Sequence, residues 1–411
     1  MTKLCALSDA EWLHDPALKS VLTALRSSGA EARIAGGAVR DGLLGRPVSD
    51  IDIATDQSPE QVIALAKAAG LSVHPTGLEH GTVTVVAGAR AARRSFEVTT
   101  LRVDVETDGR RAKVEFTDDW SVDAHRRDFT INALYCNENG DVYDLVDGLK
   151  DLEQRKIRFV GTPSKRIEED YLRILRFFRF FAWFGAGEPD PDALAACVKA
   201  KARLAKLSRE RIRQEFFKLA CAPDVVPALG LMIKTGILKP VLPGRFDLEK
   251  LENLCQIEEE NRLAPDPVRR LRALSKDQSA SELQKAFVLS NAETKRLEAL
   301  HQLPAVSPIF RHAERQTLLY WHGQQAVIDR VLLDWSASSA GADNPEYVAL
   351  LSDAQGWQRP QMPVGGRDLQ AAGIAEGKEL GRLLHALEDW WVAGGFKAEK
   401  ADLMARLAAI R

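Results

Sequence analysis

Apolar residues recur at helical spacing over residues 17–28 (ALKSVLTALRSS), and Ser58-Pro59-Glu60 opens a second helix with a capping hydroxyl followed by proline. Thr82–Ala87 (TVTVVA) and residues 96–100 read as strands. The first 150 residues are therefore predicted to be α/β or α+β. Beyond about residue 150 the strand signal ends. Residues 166–184, 191–202, 209–219 and 248–262 all show the helical period, so an all-helical array is expected for the rest. Breaks rich in proline and glycine near Cys221-Ala222-Pro223 and over 264–267 and 360–366 mark further boundaries, the last before a C-terminal segment. Residues 104–113 (DVETDGRRAK) are short, polar and glycine-containing, which predicts a mobile loop.

A length of 411 residues is enough for two to four domains. With 45% hydrophobic and 28% charged residues, collagen-like, low-complexity and wholly disordered readings drop out. No apolar run approaches the roughly 20 residues of a membrane span, and MTKLCALSDAEW lacks a signal-peptide pattern, so a cytoplasmic protein with no membrane partner is expected. The five cysteines have no CxxC spacing and are expected as free thiols. The net charge of −2 gives no global pull toward nucleic acid, but between Arg155 and Lys218 there are 16 Lys/Arg against 8 Asp/Glu, a local excess of 16 − 8 = +8. Such a stretch fits a solvated helical surface or an RNA-facing one.

The most informative segment is GGAVRDGLLGRPVSDIDIAT, residues 36–55. Gly36 and Gly37 follow an apolar strand-like stub and let the backbone approach a phosphate, and Arg40 lies one turn into the helix that follows, where its guanidinium can grip a triphosphate. Asp50 and Asp52 flank Ile51; on a strand both carboxylates face one side while Ile51 and Ile53 face the core. Two carboxylates so close are unfavourable without a cation between them, and magnesium, which takes carboxylate and phosphate oxygens together, fits best. A lone GG turn or a lone DxD is ordinary structure. Their conjunction within 20 residues is hard to explain as packing.

This conjunction resembles the nucleotidyltransferases of the DNA polymerase beta superfamily, and more closely the class II tRNA nucleotidyltransferase and bacterial poly(A) polymerase family. RRDFTINALY (126–135), DLVDGLKDLEQRKIRFVG (144–161), EEDYLRILRFFRF (168–180) and RIRQEFFKL (211–219) resemble the family's later motifs in order, so the likeness covers residues 30–220. It implies an α+β nucleotidyltransferase head with a small mixed sheet over 1–150, a helical neck over 151–220 that reads the base, a helical body over 221–360 and a helical tail over 361–411. It also implies a third carboxylate, for which SFEVTTLR offers Glu97, and a triphosphate ligand, for which Arg127 stands at the matching position. Asp128 and Asn132 are candidates for the ribose or for holding their loop. His80 in EHGTVTV is a candidate for a place near the site, but a buried, hydrogen-bonded histidine at a strand start is the favoured reading.

On a helix, Asp170, Arg173 and Arg176 recur every three residues, and Arg179 extends the row. A carboxylate only accepts hydrogen bonds and a guanidinium only donates, so Asp170 and Arg173 together imitate the pairing edge of a base. Cytosine and adenine offer an amino group to Asp170, whereas uracil and guanine put a carbonyl there. An ion-pair ladder is the competing reading of the same spacing. Arg176 and Arg179 are expected to support nucleotide binding, Glu169 to orient an arginine, and the stripe Arg211, Glu215, Lys218 to brace the helix. The resemblance thus implies an enzyme that adds CCA to the 3′ end of tRNA from CTP and ATP with release of pyrophosphate, the acceptor/T arm of the tRNA lying along the basic neck and the body. A poly(A) polymerase or a CC-adding enzyme of the same family shares nearly every residue quoted. A catalytically silent RNA-binding protein and an enzyme adenylylating a small molecule are the more distant alternatives.

Overall fold

The computed structural model describes residues 3–90, 92–108, 111–306 and 312–411, without the side chains of residues 3–6, 104–108 and 111–113. The chain divides into two compact units, Met1–Pro243 and Gly244–Arg411. The expected boundaries at 150 and 220 fall inside the first unit, and that at 360 inside the second.

The first unit begins with β1 (Lys3–Ala6), α1 (Pro16–Arg26), β2 (Ala32–Ala35), α2 (Gly37–Leu43), β3 (Asp52–Thr55), α3 (Pro59–Ala68), β4 (Ser72–Gly77), β5 (Thr82–Ala87) and β6 (Arg94–Thr100). There follow β7 (Arg102–Asp108), β8 (Arg111–Phe116), α4 (Trp120–Arg126), β9 (Leu134–Cys136) and β10 (Asp141–Asp144). Eight strands form one sheet in the order β1-β10-β9-β2-β3-β6-β5-β4, and β7 pairs with β8 in a separate hairpin. Only β3 and β6 run parallel, so the sheet is mixed, as expected for the head. The predicted first helix forms because Asp15 caps it, accepting from the Ala17 amide at 2.7 Å, with Pro16 at its first position and Leu18, Val21, Leu22 and Leu25 buried. Ser58 and Gln61 close a capping box on α3.

Six helices complete this unit: α5 (Gly148–Glu153), α6 (Pro163–Glu169), α7 (Leu172–Phe184), α8 (Pro191–Ala200), α9 (Arg209–Ala220) and α10 (Val225–Lys234). The phenylalanines of α7 anchor it: Phe177 and Phe180 join Phe129 and Phe159 in one aromatic cluster, with ring centroids 4.7–6.5 Å apart. Glu215 and Arg211 of α9 reach α7 and its N-terminal turn by ion pairs, which is the bracing expected of that stripe. The second unit is helical among the described residues, from Leu248–Glu260 to Lys400–Ile410. Its core contains an ionic cluster in which buried Glu258 and Asp329 take Arg269, Arg270 and Arg296.

Three local expectations are corrected. The helix predicted over 166–184 is interrupted: α6 ends at Glu169, Asp170 is extended (φ −154°, ψ 110°), and α7 begins at Leu172. Asp170 makes the break. Its Oδ1 accepts from the Leu172 amide (3.1 Å) and its carbonyl from the Arg173 amide (3.0 Å), so it caps the next helix instead of continuing the last. Residues 104–108 and 111–113, expected as part of a loop, lie in the paired strands β7 and β8, and residues 109–110 lie outside the described residues. Finally, β3 starts at Asp52, so Asp50 precedes the strand. The alternation nevertheless persists through this segment, Ile51 and Ile53 being buried and Asp50 and Asp52 exposed.

Candidate active site

A cavity of about 520 Å³ opens where β2 turns into α2. Gly36 makes that turn with φ +70°, a left-handed conformation that glycine adopts without a Cβ penalty. Its amide donates to the Leu134 carbonyl at 2.9 Å. A Cβ at Gly36 would lie 3.2 Å from Arg127 Nη1, so the bare turn is what lets that guanidinium approach. Gly36, Gly37, Arg40, Asp52, Arg127, Asp170, Arg173 and Arg176 all line this one cavity. Asp50, Glu97 and Arg179 are not among its lining residues.

The acidic residues are set by the sheet. Asp52 and Glu97 are direct partners across the parallel β3–β6 pair, and Phe96 and Val98 on either side of Glu97 are buried, so both carboxylates leave the same face. Solvent reaches Asp52, but the cavity walls displace part of its hydration. That loss, together with the negative charges of Glu97 and Asp50, raises its carboxyl above the ordinary range against the opposing pull of Arg127. This repulsion is what a divalent cation would relieve. Among the described residues no three His, Cys, Asp or Glu converge as a ready-made metal cage. The chemistry of the donors is oxygen-rich, suited to a hard ion whose remaining ligands are water and phosphate.

The arginines are mostly already engaged. Arg40 is buried over the Phe184 ring (4.2 Å) and uses three of its five donors, two on Asp41 (2.9 Å each) and one on Asn132 Oδ1 (2.5 Å). Arg127 donates to Asp123 Oδ2 (3.0 and 3.2 Å), Tyr135 Oη (3.2 Å) and the Asn132 carbonyl (3.2 Å). Burial disfavours its charge, yet Tyr135 and Asp123 outweigh that and raise its pKa further. Arg102 and Arg126 also line the cavity, and sequence reasoning missed both. Arg126 adjoins Arg127 in the RR pair, which was a usable signal; Arg102 stands alone after a strand and carried none. His80, read as buried, has a 44% exposed side chain.

On the helical side, Asp170 Oδ2 accepts from Arg211 Nη2 (2.6 Å), while Arg173 Nη1 donates to Glu169 and to the Arg166 carbonyl (2.8 Å). Asp170 lines the cavity from the α6–α7 break itself and Arg173 from the first turn of α7, not from a continuous helix. Arg211, expected only to brace, also lines the cavity. Arg179 is set back, pairing with Glu215 (2.6 Å) and stacking on Phe180 (4.4 Å). Asp128 takes Arg176 Nε (2.7 Å), Asn132 Nδ2 (3.1 Å) and the Phe129 amide (2.9 Å), which places it and Asn132 as ties between the RRDFTIN segment and α7.

Burial opposes ionisation of Asp128, but Arg176 and the hydrogen bonds outweigh it and hold its pKa at about 2. A depressed carboxyl stabilises the fold above its unfolded value and loses that contribution as pH falls through the folded value. Asp128→Asn should therefore lower the unfolding free energy at pH 7 by about 2 kcal/mol. The gap to the parent protein should close between pH 4 and 2, as read from urea midpoints. A gap constant across that window would exclude the ion pair as its source.

Residues 32–158 match the family model described as "Poly A polymerase head domain", and residues 188–248 match "Probable RNA and SrmB- binding site of polymerase A". A Danio rerio protein named "CCA tRNA nucleotidyltransferase 1, mitochondrial" is 36% identical over 392 residues, spanning 92% of this chain and 87% of its own. The chain belongs to the CCA-adding tRNA nucleotidyltransferase family. A Lactococcus lactis CCA-adding enzyme is 33% identical over 400 residues, covering 95% of this chain and 96% of that protein. The fold agrees. The structure titled "Crystal structure of Bacillus stearothermophilus CCA-adding enzyme in complex with CTP" superposes with a TM-score of 0.74 at 28% identity, covering 95% of each chain. CCA-adding nucleotidyltransferases are metal-dependent enzymes.

Proposed function

We propose that this enzyme adds or repairs the 3′-terminal CCA of tRNA, taking CTP and ATP and releasing pyrophosphate, with no nucleic-acid template. The observation that carries this reading is that one cavity is lined both by Asp52, whose charge is opposed by two further carboxylates, and by Asp170 and Arg173. The primer 3′ hydroxyl gives its proton to water, its oxygen forms a bond to the α-phosphorus, the bond from that phosphorus to the oxygen bridging to the β-phosphate breaks, and pyrophosphate leaves with that oxygen. Asp50 and Asp52 would hold Mg2+, with Glu97 assisting; an ion held there would supply a lowered pKa at the attacking hydroxyl and offset charge on the leaving group. The protein otherwise positions reactants and balances charge.

Gly37 admits the triphosphate. Arg127, with two N–H groups uncommitted, and the remaining donors of Arg40 bind it. Asp170 keeps lone pairs free beside its bonds to Arg211 and Leu172. Arg173 keeps Nε and Nη2, so the pair accepts from the amino group of cytosine or adenine and donates to the adjacent ring acceptor. Arg176 acts through Asp128, holding the base-reading helix against the head, and Arg179 acts through Glu215, holding it against α9. In this reading the head spans 1–150, the neck 151–220, the body 221–360 and the tail 361–411. The 3′ end and acceptor/T arm of tRNA follow the basic neck and the body through backbone contacts. We place the protein in the cytoplasm; no described helix is long and apolar enough to cross a membrane.

Incubating the protein with tRNA lacking CCA and labelled nucleotides, singly and together, tests the proposal. Addition of C, C and then A is expected. Arrest after CC identifies a CC-adding enzyme, and homopolymer growth from ATP alone identifies a poly(A) polymerase.

A further inference from the structure

Tyr135 is fully buried and does not line the cavity, yet its hydroxyl is bonded to Arg127, which does. It donates to Asp123 Oδ2 at 2.6 Å and accepts from Arg127 Nε at 3.2 Å, and Arg127 Nη2 donates to that same Oδ2 at 3.0 Å. Three polar groups thus close a ring of hydrogen bonds around one edge of the guanidinium. The other carboxylate oxygen of Asp123 is taken by Arg126 (2.8 Å). The Tyr135 ring supports the arginine as well, with the guanidinium carbon 4.9 Å from its centroid, and Trp120 packs edge-on against the ring at 5.2 Å. Burial and Asp123 keep the phenol protonated against the pull of Arg127, so it remains a donor.

The register of the sheet explains why this residue is placed there. Tyr135 on β9 pairs with Ala35 on β2, the residue just before the glycine turn, and the Leu134 carbonyl takes the Gly36 amide. One strand therefore sets both the turn and the hydroxyl beneath it. The missing Cβ of Gly36 would lie 3.2 Å from Arg127 Nη1, so the turn and the guanidinium leave little tolerance for rotation. We propose that Tyr135 is a positioning residue for nucleotide binding, its buried hydroxyl fixing the Arg127 guanidinium so that the two free N–H groups meet the triphosphate beside the glycine turn. The inference rests on Arg127 as a triphosphate ligand.

Tyr135→Phe keeps the ring and removes the hydroxyl. With tRNA lacking CCA as primer, it should raise KM for CTP and for ATP by about tenfold each and weaken inhibition by pyrophosphate, which occupies the same anion site, by a similar factor. The kcat should stay within about threefold, and the preference for C over U should not change, because base reading lies elsewhere. Unchanged KM and unchanged pyrophosphate inhibition overturn the proposal, whatever happens to the melting midpoint. A fall in kcat alone overturns it as well. If the phenylalanine variant does not fold, Asp123→Asn carries the same measurement from the other side of the ring. Arg127→Lys forms a separate arm: if it leaves nucleotide KM unaltered, the assignment of Arg127 fails, whereas an effect there with none in Tyr135→Phe rejects only the role of the tyrosine.

Discussion

Asp52→Ala should reduce incorporation of both CMP and AMP into tRNA by at least about a thousandfold, with tRNA affinity within about twofold of the parent protein. Asp52 lines the cavity, sits beside Glu97 across a parallel strand pair, and is raised in pKa by lost hydration and by two carboxylate neighbours. A carboxyl whose folded pKa is raised stabilises the fold only while it is protonated, and the contribution is lost as pH rises through the folded value. At neutral pH its charge is therefore a cost to the fold. Asp52→Asn, which removes that charge at constant size, should show a melting midpoint equal to or above that of the parent protein while incorporation is lost. Millimolar magnesium should raise the midpoint of the parent protein and not that of the variant. Incorporation within about tenfold of the parent, or a midpoint that falls together with tRNA affinity, would remove Asp52 from the reaction.

That arrangement was legible in the sequence because strand alternation is a local rule. Ile51 and Ile53 had to be buried if anything was, which turned Asp50 and Asp52 outward together, and Phe96 and Val98 did the same for Glu97. What pairs with what across the sheet is a matter of register, and no local rule places Asp52 beside Glu97. The same limit hid the partners of the arginines: Arg40 meets Asn132, Arg176 meets Asp128 and Arg211 meets Asp170 across separations of 41 to 92 residues. Two misreadings had local remedies. Val103 and Val105 alternate with polar residues on one side of the polar stretch, and Val114 and Phe116 do so on the other, a paired-strand signal that outweighs the polarity between them. Asp170 stands where an aspartate at the start of an apolar helix reads as a cap, and the apparent three-residue ladder through Asp170, Arg173 and Arg176 concealed a helix boundary.

Asp170→Ala should lower the ratio of kcat/KM for CTP over UTP by about a hundredfold, and for ATP over GTP similarly, while kcat with saturating CTP stays within about tenfold. The reason is the complementarity proposed for the cavity wall. A uracil or guanine carbonyl facing the Asp170 carboxylate leaves two acceptors with no proton between them, and the alanine variant removes that repulsion along with the favourable bond to cytosine and adenine. The break between α6 and α7 complicates the substitution, since Asp170 also caps Leu172 and holds Arg211. Loss of the cap costs about 1 kcal/mol and lowers the midpoint without bearing on selectivity. Asp170→Asn separates the two effects. Its amide oxygen can keep the cap and its nitrogen can donate, so it should be as stable as the parent protein and accept UTP better than the alanine variant does. Arg211→Ala keeps the carboxylate and its cap, so it should retain exclusion of UTP and GTP even if turnover slows. If uridine and guanosine nucleotides stay excluded in both Asp170 variants, the carboxylate does not read the base and serves only to hold the Leu172 amide and Arg211.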